Sequence, residues 1–330
     1  MSRRLRIGIV GDGQLGHVLK EELRLQHRVH VYSRSDGFDL SYPLTAVGVV
    51  NANDVIINCA AMTDVDACET ARQEAVNANT VLPVVLADAC SSTGTKLVHF
   101  STDYVFGSTA DSCPTALLDE SCAHAPVNFY GETKALADKK LVELISEGEL
   151  SGLVLRPAWL YSAVGSNFLT KMVKSLQSHV GVKIADDQHA VPTSAYTVAR
   201  VIKEWLNGMV SDGEYNVCST FDVSAPPPSR YDIACYIKEQ IGSSCVISRG
   251  KAAEFPSKAK RQLGSCMSTK KLERELCTRK ACSFKLRDWK EDIAEALSRL
   301  DLKEDNTEDE KHSSDRWPWF YSASTSLEIS

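Results

Sequence analysis

Leu5 to Val10 has the pattern of a short apolar-rich strand, and it runs without a gap into Gly11-Asp12-Gly13-Gln14-Leu15-Gly16. Beyond that turn, Leu15, Val18, Leu19 and Leu23 recur at helical spacing. Strand, GxGxxG and helix in immediate succession restrict the start of the chain to a β–α unit whose helix points its positive N-terminus at the turn. The glycines let the backbone turn tightly and approach a pyrophosphate, so Gly11, Gly13, Gln14 and Leu15 are candidate phosphate-binding positions. A glycine-rich turn in some other α/β fold has the same local pattern, so the rest of the chain must decide between them.

Beyond Leu23 the chain alternates strand and helix. Arg28 to Tyr32 reads as a second strand, ending Tyr32-Ser33-Arg34-Ser35 with no carboxylate until Asp36. An acid at that place would hydrogen-bond a ribose 2′-hydroxyl; Ser33 and Arg34 suit a 2′-phosphate instead, which points to NADP over NAD. The plainer alternative is a surface arginine. Val55 to Asn58 is a buried-type strand followed by Cys59-Ala60-Ala61-Met62-Thr63, small residues that leave room for a ligand at a strand's carboxyl end. Thr70 to Cys90 is predicted to be a covering helix. Lys96 to Phe100 is a strand that delivers Ser101-Thr102-Asp103-Tyr104-Val105-Phe106, and Gly152 to Arg156 is another. Strands and helices alternating at this spacing predict an α/β fold with a Rossmann-like, doubly wound parallel sheet.

Between the last two strands lies Tyr130-Gly131-Glu132-Thr133-Lys134. On a helix the phenol and the ammonium are one turn apart on one face. A cation held there favours the phenolate, so Lys134 is expected to lower the Tyr130 pKa and fit the phenol for proton transfer. A lone YxxxK is more often an exposed pair on an ordinary amphipathic helix; here the surrounding elements argue for chemistry.

The bulk properties exclude several classes. The 330 residues are 43% hydrophobic and 24% charged, and no apolar run approaches the ~20 residues needed to span a bilayer. The N-terminus leads straight into a strand with no signal-peptide pattern, and eleven cysteines without a repeating framework suit reduced thiols, so a cytoplasmic protein is expected. No CxxC or HExxH suggests a metal. Residues 301–330 hold eight acidic and three basic side chains, so this segment carries most of the net charge of −6. The near-neutral remainder, with no basic stripe, argues against nucleic acid as a partner.

After Arg156 the alternation breaks down. Asn167 to Ser178 and Thr193 to Asn207 look helical, Tyr215 to Cys218 looks like a strand, a helix begins near Ser229 after Pro226-Pro227-Pro228, and a last amphipathic helix spans Arg287 to Leu300. The expected organisation is a cofactor-binding domain over 1–157 with a returning segment at 194–220, and a smaller C-terminal substrate-binding domain over 158–193 and 221–300. The tail over 301–330 is expected to be partly disordered. Its aromatic run Trp317-Pro318-Trp319-Phe320-Tyr321 reads equally as a docking segment or a loosely ordered end.

These motifs, in this order, resemble the extended short-chain dehydrogenases, and within them the dTDP-4-dehydrorhamnose reductase family. The matching stretches are Gly13-Gln14-Leu15-Gly16; Asn58 to Thr63 with Val65-Asp66 and Glu69; Ser101 to Phe106; Pro126 to Lys134; Leu155 to Tyr161; Asn167-Phe168; and Asp186-Asp187-Gln188 leading to Pro192-Thr193. The resemblance covers residues 5 to 300. It implies that Thr102 hydrogen-bonds the substrate oxygen, that Tyr130 donates the proton, and that Lys134 tunes Tyr130 and holds the nicotinamide ribose. It also implies cofactor contacts at Ala60, Ala61 and Thr63 and a sugar pocket lined by Thr102, Asp103, Tyr104 and Trp159. The implied reaction is hydride transfer from NADPH to C4 of a nucleotide-linked 4-keto-6-deoxyhexose. A core tryptophan is the plainer reading of Trp159.

The sequence departs from the family in several places. The glycine turn is one residue shorter than the usual GxxGxxG, and Met62 stands where an aromatic is common. A glycine is missing before Pro192-Thr193, and Arg-Pro-x-x-Ser becomes Arg261-Gln262-Leu263-Gly264-Ser265. The competing resemblance is to the beta regulatory subunit of methionine adenosyltransferase, an NADP-binding partner protein that keeps a Tyr-Gly-x-Thr-Lys stretch. Ala60-Ala61-Met62-Thr63, Ser101-Thr102-Asp103 and Arg156-Pro157-Ala158-Trp159 side with the reductases. A homodimer and a protein partner for the tail are both compatible with this reading.

Overall fold

A computed structural model describes residues 3–34, 37–38, 43–107, 117–278, 284–300 and 320–322. Its strands in chain order are β1 (Arg6–Val10), β2 (Arg28–Tyr32), β3 (Val55–Asn58), β4 (Lys96–Phe100), β5 (Gly152–Pro157), β6 (Leu160–Tyr161), β7 (Gly181–Ala185), β8 (Thr193–Ser194), β9 (Gly213–Val217), β10 (Val246–Gly250) and β11 (Phe320–Ser322). The helices are α1 (Gln14–Leu23), α2 (Pro43–Asn51), α3 (Val65–Thr70), α4 (Arg72–Val76), α5 (Leu82–Thr93), α6 (Phe129–Ser146), α7 (Phe168–Ser178), α8 (Ala195–Leu206), α9 (Arg230–Ile241), α10 (Lys270–Thr278) and α11 (Trp289–Ser298).

Six strands form one parallel sheet in the order β2-β1-β3-β4-β5-β9. Every residue of β3 and β5 is buried, as expected for parallel strands covered on both faces. On one face α1 contributes Leu15, Val18, Leu19 and Leu23 to a core shared with Val198, Val201, Ile202 and Trp205 of α8. On the other, Val49 and Val50 of α2, Leu86 and Ala87 of α5, and Leu141 and Leu144 of α6 close over Ile56, Leu97 and Val154. Each such aliphatic side chain contributes ~1.5–3 kcal/mol by leaving water. The chain runs from β1 outward to β2 and then returns to β3 on the other side of β1. That reversal opens a crevice at the carboxyl ends of β1 and β3.

The remaining elements pack beyond the carboxyl ends. β6 pairs with β8, β7 lies between β10 and β11, and α7 packs on α9. The expected helix over Thr193 to Asn207 therefore begins later: Thr193 and Ser194 pair with Leu160 and Tyr161 before α8 starts. Thr193 explains the change, since its hydroxyl donates to the Val217 carbonyl at 2.8 Å and accepts from the Ala158 amide at 3.0 Å. The predicted helix over Thr70 to Cys90 is likewise broken. α4 gives way to a π-turn over Asn77–Val81, and Pro83 sits in the first turn of α5. The wider turn carries Asn79 inward, fully buried, and inserted π-turns of this kind recur at functional sites. Phe320–Ser322 pairs antiparallel with β7; apart from these three residues, the tail over 301–330, expected to be partly disordered, lies outside the described residues.

A buried ion pair ties the sheet to α6. Arg156 of β5 donates from Nε and Nη2 to the two carboxylate oxygens of Asp138 at 2.8 and 2.7 Å, with both side chains almost fully buried. Removing one partner strands the other charge, which costs far more than the pair is worth against an apolar replacement. Arg156→Met is expected to destabilise the fold by ~3–5 kcal/mol in urea unfolding, while the double replacement of Arg156 and Asp138 by Met and Leu costs clearly less.

Candidate active site

Strand register sets the floor of the site. Val10 pairs with Asn58, Asn58 with His99, and Phe100 with Leu155, so β1 and β3 end level, β4 runs one residue further and β5 two beyond that. Gly11, Cys59, Ser101 and Ala158 are thereby brought to one edge of the sheet. Gly11 has φ +98° and a side chain there would meet the Ala60 backbone nitrogen at 2.9 Å, so the glycine turn lies directly against the Cys59–Ala60 segment. A side chain at Gly16 would meet the Gly11 carbonyl oxygen at 2.1 Å, which is why α1 can pack so closely behind the turn.

The turn fits an anionic dinucleotide. Gly13 is the N-cap of α1, no side chain caps that end, and the first turn contains no acid. Its amide groups and the helix dipole are therefore available to a phosphate. Leu15 points its side chain into the core. Gln14 bridges outward: Nε2 donates to the Leu160 carbonyl at 3.3 Å and Oε1 accepts from the Ser162 hydroxyl at 3.4 Å. Ala60 and Ala61 are half-buried beside the turn, whereas Thr63 is exposed. Ser33 is buried and Arg34 exposed at the end of β2, separated from β4 by β1 and β3. A dinucleotide laid across the strand ends would span that separation.

At the other end of the crevice the structure brings Thr102, Tyr130 and Lys134 together. Asn128 caps α6 by accepting from the Gly131 amide at 2.9 Å. This places Tyr130 on the first turn, with its hydroxyl facing Thr102. Lys134, 2% exposed, donates from Nζ to the Phe100 carbonyl oxygen at 2.5 Å. Burial pushes the lysine down to about 8, with Asp138 opposing the shift. The expected lowering of the Tyr130 pKa is not what this environment produces. Burial among Cys68, Ala75, Met62 and Tyr104 pushes the phenol up, and Thr102 only partly offsets it. Tyr130 thus holds its proton firmly.

Asp103 is 2% exposed, and its carboxylate turns to its neighbours: it accepts from the Thr102 hydroxyl at 3.0 Å and from the Ser265 hydroxyl at 2.5 Å. Tyr104 packs edge-on to Tyr130, ring centroids 5.6 Å apart, and its hydroxyl is hydrogen-bonded to Arg261. Trp159 is half-buried with φ +43°, a positive value found at no other non-glycine among the described residues. Such a backbone costs ~1–3 kcal/mol and persists only where surroundings hold it. The Arg230 guanidinium lies over its ring at 4.0 Å, and a desolvated contact of this kind contributes ~2 kcal/mol, of the same order as the strain.

Several residues of the site carry little signal in the sequence. Asn79 accepts from the Met62 amide at 2.8 Å and donates to the Met62 carbonyl at 3.0 Å, fixing the segment after β3. Its signal is an asparagine within an otherwise covering, helix-like stretch. Arg261 donates to Asp66 at 2.8 Å, Asn128 donates to the Lys260 carbonyl at 2.9 Å, and Gln262 donates to the Gly107 carbonyl at 2.9 Å. Together with Ser265 these bonds draw residues 257–265 across the strand ends. In the sequence the stretch 261–265 stands out only as a departure from a family pattern. Nothing local marks Arg230.

The chain is similar to known proteins along most of its length. The family described as RmlD substrate binding domain matches residues 5–302. A dTDP-4-dehydrorhamnose reductase of Mycobacterium tuberculosis is 30% identical over 302 residues, covering 90% of this chain and 93% of the relative. The chain belongs to the dTDP-4-dehydrorhamnose reductase family. Among solved structures, the dTDP-4-dehydrorhamnose reductase of Bacillus anthracis in complex with NADP is 25% identical with TM-score 0.79, covering 90% of this chain and 99% of that one. The Clostridium acetobutylicum reductase is 30% identical with TM-score 0.76, covering 89% and 98%. The family match ends near α11, so β11 lies beyond it. No helix among the described residues is long and apolar enough to cross a membrane, and no group of three His, Cys, Asp or Glu among them could hold a metal ion.

Burial gives Asp103 a readable pH signature. Its carboxyl is pushed up to about 6, with Ser265, Thr102 and Arg230 opposing the shift. The folded state therefore disfavours ionisation: this penalty is absent below the unfolded value of ~4, grows as pH rises to ~6, and is constant above. Asp103→Asn is expected to gain ~2–3 kcal/mol over wild type in chemical denaturation between pH ~4 and ~7. A constant difference across that range would show that Asp103 is ionised in the fold without penalty.

Proposed function

We propose that this protein uses NADPH to reduce the C4 ketone of a nucleotide-activated 4-keto-6-deoxyhexose, a step of deoxysugar nucleotide biosynthesis. The observation that carries the reading is the buried grouping of Tyr130, Thr102 and Lys134 at the strand ends, beside an uncapped helix terminus suited to a pyrophosphate. The relatives named above carry the reductase name, which favours catalysis over a regulatory-subunit role.

In this reading Gly11, Gly13, Gln14 and Leu15 hold the pyrophosphate through backbone amides, and Ser33 and Arg34 receive the 2′-phosphate. Ala60, Ala61 and Thr63 border the cofactor's path toward Tyr130. NADPH, when bound, supplies the hydride. Tyr130, kept neutral by burial, gives its hydroxyl proton to the sugar's C4 oxygen as that oxygen gains charge. Thr102 holds the phenol in place, and the ammonium of Lys134, one helical turn away, stabilises the phenolate left behind. Tyr104 and Trp159 border the sugar, and Asp103 acts there through Thr102. The substrate lies between the sheet's carboxyl ends and the elements of residues 158–193 and 221–300.

NADPH oxidation followed by absorbance, with enzymatically prepared dTDP-4-keto-6-deoxy sugar, tests the reading. Saturable turnover is expected, and Tyr130→Phe is expected to lower kcat about 10²–10⁴-fold with NADPH affinity nearly unchanged. Tight NADPH binding with no turnover on dTDP- or UDP-linked keto sugars would replace catalysis by the regulatory role. Arg34→Ala is expected to weaken NADPH about 10- to 100-fold more than NADH, because only the former offers a 2′-phosphate to a charge-assisted hydrogen bond. Equal losses would remove Arg34 from the cofactor site.

A further inference from the structure

Arg230 is the first residue of α9, set there by the reciprocal bonds of Ser229 and Asp232 that cap the helix. Its side chain is 6% exposed and runs inward rather than to solvent. The guanidinium lies 4.0 Å from the Trp159 ring centroid and 5.3 Å from that of Phe168, and Nε donates to Gln188 Oε1 at 3.0 Å. Its charge also faces Asp103 and Tyr104. One side chain thus touches three separate segments of the candidate sugar pocket: the turn after β5, the loop after β7, and the start of α7. An arginine is costly to bury, and a planar cation stacked on aromatic rings is a fixed geometry that lysine does not reproduce.

We propose that Arg230 is a positioning residue for the sugar, holding Trp159 in its left-handed backbone conformation and leaving the opposite face of the indole as the one the substrate meets. This rests on the function proposed above. With one face of Trp159 covered by the guanidinium, the hexose meets the indole away from that face. The direction in which C4 approaches Tyr130 then depends on an indole orientation that Arg230 sets. Gln188 completes the clamp by fixing the guanidinium plane through Nε. Arg230 itself touches none of the reacting atoms.

The experiment is a double-mutant cycle on the full chain, with Arg230→Met, Trp159→Ala and the pair, read as kcat and KM for dTDP-4-keto-6-deoxy sugar and as NADPH affinity. Arg230→Met is expected to raise KM about tenfold or more, with a smaller change in kcat and NADPH binding retained. In the Trp159→Ala background the same change is expected to have little further effect, because the residue it positions is gone. Arg230→Lys is expected to recover only part of the loss, since it keeps the charge and loses the planar stack. Equal effects of Arg230→Met with and without Trp159 would overturn the proposal, as would full recovery by lysine. If Arg230→Met fails to fold, the cycle is run with Arg230→Lys under the same criterion. Absence of turnover in wild type would count against the function; the clamp is then read as dTDP-sugar affinity in the same cycle, where equal losses from Arg230→Met with and without Trp159 overturn it.

Discussion

Parallel pairing without slippage between β1, β3, β4 and β5 is the constraint on which the site depends. Because β1 and β3 end level and β4 and β5 run one and three residues further, the glycine turn, the Cys59–Ala60 segment, Ser101–Thr102 and Ala158 emerge at the same edge of the sheet. A shift of one residue would turn each strand's side chains to the opposite face and separate Thr102 from Tyr130. The register is held by burial on both faces, since Ile7, Ile9, Ile57 and Val98 belong to one core and Ile56, Leu97 and Val154 to the other. Two packed layers leave no second register with the same burial.

The site is closed by polar rather than apolar contacts. Arg261, Lys260, Gln262 and Ser265 reach Asp66, Asn128, Gly107 and Asp103 through hydrogen bonds drawn from residues roughly a hundred or more positions earlier. Such bonds are directional and contribute little net stability each, so they fix geometry more than they hold the fold together. This suits a crevice that a dinucleotide and a nucleotide sugar must enter. The heavy stabilisation lies elsewhere, in the two sheet cores.

The tyrosine illustrates how burial overrides a pairwise argument. Spacing alone places a cation one turn from Tyr130 and suggests a phenol of lowered pKa. In the fold, Lys134 spends its ammonium on the Phe100 carbonyl, and the phenol is surrounded by apolar and aromatic neighbours, so desolvation wins. For a reduction that outcome is the useful one. In the proposed reaction the donor must be protonated when the substrate's oxygen acquires charge.

Much of this was legible along the chain. β2, β3 and β4 match their sequence boundaries, because short β-branched runs bounded by turn residues leave little choice of period or length. The glycine turn and the Tyr130–Lys134 spacing were legible because each is a local arrangement whose geometry one element dictates. The π-turn at Asn77–Val81, the β6–β8 pair and the turn of residues 257–265 over the crevice were not, since each is settled by a hydrogen-bond partner distant in sequence. Arg230 is the clearest case. As a residue it reads as an ordinary helix start, and only the meeting of α9 with the turn after β5 places its guanidinium on Trp159. The sequence by itself determined the sheet, its glycine turn and the one-turn spacing of Tyr130 and Lys134, which come from local periodicity and spacing. The tertiary structure alone decided the surroundings of Tyr130, the partners of Asp103 and the backbone conformation of Trp159, because burial and charge at a point depend on every segment that arrives there.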